Sequence, residues 1–199
     1  MNEEQMRLLS TPFDMVTGLS GKVDSIQRKL SAMGGMYADA EAFDALVADG
    51  DPIVYEFYDL GVTQDAGEIA FGTSITYPGK VGDEYFMTKG HFHSILETAE
   101  VYYCLRGEGR MLMENPEGDW EIAELAPGAA VYVPARYAHR SINTSSSEPL
   151  VTFFAFRGDA GHDYGTIEEK GYRKLVVDRD GQPTVIDNPK WVDDSENAQ

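Results

Sequence analysis

Between residues 53 and 178 the chain is a succession of short β-forming runs broken by turn chemistry: IVYEFY, FGTSITY, EYFMT, EVYYCLR, RMLMEN, WEIAEL, AAVYVP, LVTFFAF and RKLVVD. The punctuation includes Pro78-Gly79, Pro116-Glu117-Gly118-Asp119 and Pro127-Gly128. Proline presets one turn dihedral and glycine reaches the positive one, so these positions close turns rather than continue strands. No segment between the runs is long enough for the crossover helix that parallel strands require. The pattern predicts an all-β chain with antiparallel pairing, specifically a double-stranded β-helix, or jelly-roll, barrel.

The ends read differently. Residues 1–38 carry scattered apolar positions and glycines (Gly18, Gly21, Gly34, Gly35) without a sustained period, which suits an arm lying on the core or on a partner subunit. Residues 39–49 place Phe43, Leu46 and Val47 on one helical face, with Gly50 ending the short helix. We therefore divide the chain into an arm and helix over 1–49, a barrel over 50–191 and a loose tail over 192–199. RDGQPTVIDNPKW reads as a hairpin turning at Asp180-Gly181.

A formal net charge of −18 argues against nucleic acid or an anionic membrane as partner, since both select basic surfaces. It also means that an anionic substrate would need local donors to reverse the field. No apolar run is long enough to span a membrane, and the acidic start MNEEQMRLLSTPFDM does not resemble a secretory signal. The single cysteine, Cys104, excludes an intrachain disulfide and reads as a buried, apolar-like side chain; a cytoplasmic location follows as the default.

The chain holds four histidines, His91, His93, His139 and His162. On a strand, residues i and i+2 share a face, so His91 and His93 would project together while Phe92 turns away. Glu100, opening the next run, and His139, following AAVYVP across the turn PARYA, would complete a set of imidazoles and a carboxylate around one metal ion. Such a set suits iron(II), manganese, nickel or zinc. Tyr102, Met111, Met113, Tyr132 and Phe154 could line a pocket but are expected in the core, because alternate strand residues must fill a barrel interior.

GHFHSILETAEVYYCLRG (90–107) resembles the first cupin motif, and GAAVYVPARYAHRSIN (128–143) the second, with Arg136 where a glycine is usual. By the common cupin spacing Glu97 fits the carboxylate position better than Glu100. TKGHFH, AEVYYCLRGEGRMLMENPEG, PGAAVYVPARYAHRSIN and AGHDYGTIEEKGY together resemble the cupin-type glucose-6-phosphate isomerases of archaea and some bacteria, over roughly residues 50–175. That resemblance favours Glu100 over Glu97.

It implies metal ligands His91, His93, Glu100 and His139, one divalent ion per subunit with iron(II) favoured, and a homodimer. It also implies a phosphate pocket of hydroxyls and amides at Thr73, Ser74, Thr88, Gly90 and Tyr102, with Lys89 the nearest cation. Ser74 stands where a second threonine is expected and Phe156 where a tyrosine is expected. The implied reaction interconverts glucose 6-phosphate and fructose 6-phosphate in glycolysis and gluconeogenesis through a metal-bound enediolate. Glu100 would be ligand and base, and His162 and Tyr164 would hold sugar hydroxyls or assist ring opening. The weighed alternatives are an iron-dependent cupin dioxygenase on the same ligands, a non-enzymatic sugar-binding cupin, and an isomerase of mannose 6-phosphate.

Overall fold

A computed structural model describes residues 10–21, 23–60 and 64–191. Its strands are β1 (Ile26–Lys29), β2 (Ile53–Asp59), β3 (Ile69–Thr76), β4 (Lys80–Val81), β5 (Glu84–Tyr85), β6 (Glu100–Arg106), β7 (Gly109–Glu114), β8 (Trp120–Leu125), β9 (Ala130–Val133), β10 (Ala138–Asn143), β11 (Leu150–Arg157), β12 (Lys174–Arg179) and β13 (Gln182–Asp187). All the strand pairings are antiparallel. One wall is a six-stranded sheet in the order β1-β2-β3-β11-β6-β9. The other is made of β13-β12-β5-β4 and β10-β7-β8. The chain between β5 and the histidines joins them, since Thr88 N–H donates to the Ser141 carbonyl (2.9 Å) and Met87 bridges Ile142. The expected barrel of antiparallel strands, a cupin fold, is what the chain adopts.

Three elements differ from expectation. The segment AHRSIN forms a strand, β10, where only a turn and a histidine were anticipated. Every residue of β10 is buried, yet most are polar, so no alternation of apolar and polar residues betrays it. Second, His91-Phe92-His93 is not a regular strand; His91 and Phe92 make isolated bridges to His139 and Asp163. Third, Ile26–Lys29 pairs with β2, so part of the arm is sheet.

The helix α1 (Ala40–Ala48) starts at Asp39, whose carboxylate accepts the Ala42 N–H at 2.9 Å, and gives way at Gly50 with φ 133°. A second short helix, α2 (Gly165–Lys170), follows the AGHDYG segment. The Asp180-Gly181 turn joins β12 to β13 with both φ values positive (54° and 79°), as a two-residue hairpin needs. The expected loose tail lies outside the described residues.

The core has three parts. Leu30, Met33, Val54, Phe86, Leu112 and Ile142 pack under α1 and behind the second wall. Cys104, Met111, Met113, Leu125, Val131, Val133 and Leu150 fill one end of the barrel. Tyr58, Leu60, Ile75 and Val151 lie on the outer side of the six-stranded sheet, against Phe13 and Val23 of the arm. Gly18 comes so close there that an added Cβ would sit 2.8 Å from Val151 Cγ1, at a φ of 74°.

Tyr132 departs from the core reading. It is 62% exposed, because on the four-residue β9 Val131 and Val133 take the inward positions.

Candidate metal centre and active-site cavity

His91, His93, Glu100 and His139 converge, each offering one ligating atom and all these atoms within 4.8 Å of one another. Glu97 takes no part; its carboxylate faces Arg136 at 3.9 Å on the surface. Each of the four side chains is placed by a different constraint. His91 and His139 are bridged main chain to main chain, with N–H to carbonyl distances of 3.3 and 3.1 Å. Glu100 opens β6 opposite Val133 of β9. His93 is oriented from behind: its Nδ1 lies 2.7 Å from Thr98 Oγ1 and 3.2 Å from the Thr98 carbonyl.

These contacts fix the tautomers. The Thr98 hydroxyl proton is spent on the Ile95 carbonyl at 2.7 Å, so Thr98 Oγ1 accepts and His93 Nδ1 donates. His139 Nδ1 faces the Tyr137 carbonyl at 3.3 Å and must donate as well. Both Nε2 atoms of the neutral rings are then lone pairs, and both face Glu100 Oε2, at 3.1 Å from His93 and 2.8 Å from His139. His91 Nε2 is buried with no hydrogen-bond partner. Lone pairs collected around a carboxylate repel unless a cation lies among them, so the donor set fits a metal ion.

Burial pushes the Glu100 carboxyl up, but the imidazoles around it, His139 first, outweigh burial and hold the group well below the ordinary carboxylate range. His91 is driven well below an ordinary histidine by burial first and by His139 and His162 next. Tyr102 is pushed well above the ordinary phenol value by burial and by Glu100, so it remains protonated.

His91, Glu100 and His139 of the cluster line a cleft of about 660 Å³. Ser74, Thr88, Gly90, Tyr102, His162 and Tyr164, all expected at the site, line it. His162 lies over His91 (ring centroids 4.4 Å apart) and stacks on Tyr164. The cleft thus has a hydroxyl- and amide-bearing side, an ionised carboxylate at its floor and a mouth of aromatic rings.

Two expected residues are elsewhere. Thr73 points to the opposite face of β3, where its hydroxyl donates to the Gly18 carbonyl at 2.5 Å beneath the arm. Neighbouring strand residues cannot share a face, so Ser74 in the cleft excludes Thr73. Lys89 does not line the cleft either; its ammonium is paired with Glu168 of α2 at 2.6 Å.

Tyr55, Phe57 and Asp59 of β2 and Ser141 of β10 also line the cleft and were missed; Phe154 of β11, expected in the core, lines it as well, and Phe156 stands there as a ring where a tyrosine was expected. Period-two alternation along IVYEFYD was the available signal for the β2 residues. Ser141 became visible only with β10.

A family model described as Glucose-6-phosphate isomerase (GPI) matches residues 27–191. The chain belongs to the glucose-6-phosphate isomerase family. It is 48% identical to the glucose-6-phosphate isomerase of Thermococcus litoralis, over 89% of this chain and 93% of that one. Identity to the enzyme of Pyrococcus furiosus is 46%, over 89% and 94% of the two chains. With the enzyme of Sinorhizobium medicae it is 37%, over 89% and 85%. Among solved structures it is similar to a variant of Bacillus subtilis oxalate decarboxylase: 25% identity, 54% of this chain and 26% of that one, TM-score 0.40. Family membership agrees with the isomerase reading of the motifs and sets it ahead of the oxygenase and the non-enzymatic binder. Among the described residues no helix is long and apolar enough to cross a membrane.

Proposed function

We propose that the cleft binds the open-chain forms of glucose 6-phosphate and fructose 6-phosphate and interconverts them, a step of glycolysis and gluconeogenesis. The observation that carries this is the juxtaposition of a four-ligand cluster, with ligating atoms within 4.8 Å, and a hydroxyl-lined wall in one cleft. A divalent cation held by His91, His93, Glu100 and His139, iron(II) first and manganese, nickel or zinc as alternatives, would supply Lewis-acid stabilisation to the charge that builds on the two reacting oxygens.

The remaining work falls to the chain. Ser74, Thr88, Gly90 and Ser141 offer neutral donors to the phosphate, which answers the repulsive net charge of −18 without a basic cluster. Glu100, held ionised, takes the proton from the carbon beside the carbonyl and returns it to the neighbouring carbon. Tyr102, held protonated, stands beside that carboxylate as a donor. Burial lowers His162, so it is neutral at pH 7 and able to exchange protons with sugar hydroxyls at the mouth beside Tyr164. The Phe156 ring, 5.7 Å from His93, packs the site where a hydroxyl was expected and leaves substrate orientation to the remaining donors.

We assign the dimer implied by the family resemblance to the outer face of β6 and β9. Val101, Tyr103 and Tyr132 are there 42%, 43% and 62% exposed, and Val101 sits directly across from Tyr132.

The test of the activity is metal reconstitution. The protein is stripped with chelator, supplied with each metal separately, and assayed for glucose 6-phosphate formation from fructose 6-phosphate by a coupled dehydrogenase. Activity that returns with metal and is absent in His91→Ala supports the reading; metal uptake without turnover refutes it.

A further inference from the structure

Arg140 lies between His139 and Ser141 on β10, but its side chain points away from the cleft. It is 2% exposed and makes no salt bridge among the described residues. The carboxylates that it influences, Glu84 and Glu114, act at longer range. A buried cation without a direct ion pair is costly, and what it touches indicates what it does. Its Nη1 donates to Met87 Sδ at 2.9 Å, its Nη2 to the Lys89 carbonyl at 2.5 Å, and the guanidinium lies 4.2 Å over the Tyr172 ring.

The Lys89 carbonyl belongs to the same peptide unit as the Gly90 N–H. The described chain has no cis peptide bond, and in a trans peptide the C=O and N–H point in opposite directions. With the carbonyl held backward on Arg140, the Gly90 N–H points forward, on the side where Gly90 lines the cleft. That N–H has no hydrogen-bond partner among the described residues. Gly90 has φ 75°, and an added Cβ would come within 2.4 Å of Tyr172 Oη and 3.0 Å of Arg140 Cβ. Arg140 and Tyr172 therefore close against this peptide from behind, while its neighbours Thr88 and His91 are tied to β10 in front.

We infer that Arg140 is a positioning residue for anion binding: through the Lys89 carbonyl it aims the Gly90 amide into the cleft as a donor to the substrate phosphate. The inference rests on the functional reading above, which places the phosphate along Thr88 and Gly90. Arg140 never touches the substrate. Lysine in its place keeps the charge but not the fork that reaches a carbonyl and a thioether from one plane.

The test uses the metal-loaded protein and inorganic phosphate as probe, followed by calorimetry, with steady-state kinetics on fructose 6-phosphate alongside. In Arg140→Lys the phosphate Kd and the KM are expected to rise together by about tenfold, with a smaller fall in kcat and unchanged metal content, as for one lost charge-assisted hydrogen bond. Unchanged phosphate affinity in the folded variant would overturn the inference, and so would a loss confined to kcat. Should Arg140→Lys fail to fold, the wild-type chain decides. With 15N-glycine labelling and zinc in the site, the Gly90 amide resonance is expected to move downfield on phosphate addition, and a resonance that stays still while phosphate binds refutes the role. A wild-type protein that neither binds phosphate nor turns over hexose phosphate would overturn the functional reading together with this inference. An active wild type with an unaffected Arg140 variant would overturn the inference alone.

Discussion

Glu100 Oε2 lies 2.8 Å from His139 Nε2, while the other nitrogen of that ring is committed to the Tyr137 carbonyl at 3.3 Å. With Nδ1 donating, the near nitrogen of the neutral ring is a lone pair aimed at a carboxylate oxygen, a contact that a shared cation relieves. An ion held by the folded site and not by the unfolded chain stabilises the fold. The melting temperature of stripped protein should therefore rise when metal is added back, and less so in Glu100→Gln. An unchanged melting temperature would mean that the four side chains do not hold the ion.

The same site sets the acid limit of the metal-free fold. Burial keeps the folded-state values of His91 and His162 below their unfolded value near 6.5. Below that value the unfolded chain binds more protons, so stability falls as pH falls. Glu100, depressed from the ordinary glutamate value near 4.5, adds a second loss of the same sign below about pH 4.5. The melting temperature of stripped protein should therefore drop first as pH passes below about 6.5, and that early drop should shrink in His91→Gln.

Thr98 supplies a contact to His93 that no cupin motif advertises. Replacing it by valine removes the hydroxyl 2.7 Å from His93 Nδ1 and leaves only the carbonyl at 3.2 Å. Outer contacts of this kind are worth about 10–100-fold in metal affinity. Thr98→Val should lose affinity on that scale in a competition titration with a chromophoric chelator, with the melting temperature of the metal-free protein nearly unchanged.

The two hydroxyls of Thr73 and Ser74 separate substrate binding from stability. Ser74→Ala should raise the KM for fructose 6-phosphate several-fold and leave the fold intact. Thr73→Val removes the buried donor of the Gly18 carbonyl and should cost about 1–3 kcal/mol in chemical denaturation with KM unchanged. Exchanged outcomes would mean that the register of β3 is shifted by one residue.

What was legible in the chain and what was not follows from the periodicities. The cluster of His91, His93, Glu100 and His139 was readable because a metal site demands rare residue types at close spacing, and His91, His93 and His139 are three of only four histidines. The hairpin at Asp180-Gly181 was readable because two consecutive positive φ values have few solutions. β10 was hidden because both of its faces do polar work: His139 and Ser141 toward the cleft, Arg140 toward the Lys89 carbonyl. Thr73 was misplaced because motif matching treats adjacent residues alike, whereas a strand sends them to opposite faces. Lys89 was misplaced because its partner Glu168 lies on α2, a helix too short to announce itself in the sequence.

The face of β6 and β9 offers the last test. Tyr132, at 62%, is the most exposed large apolar side chain on it, and β9 ends the six-stranded sheet, so an edge and an apolar face coincide. A monomer would gain solubility from a charge there at no cost to packing, since Val131 and Val133 supply the inward contacts of β9. A dimer across this face would instead bury the charge. If the proposed dimer forms across this face, the wild type should sediment as a dimer at micromolar concentration and Tyr132→Lys as a monomer. The Thr98, His139 and Glu100 contacts are made within one chain, so metal affinity should hold. A variant that sediments like the wild type would rule this face out as the dimer contact.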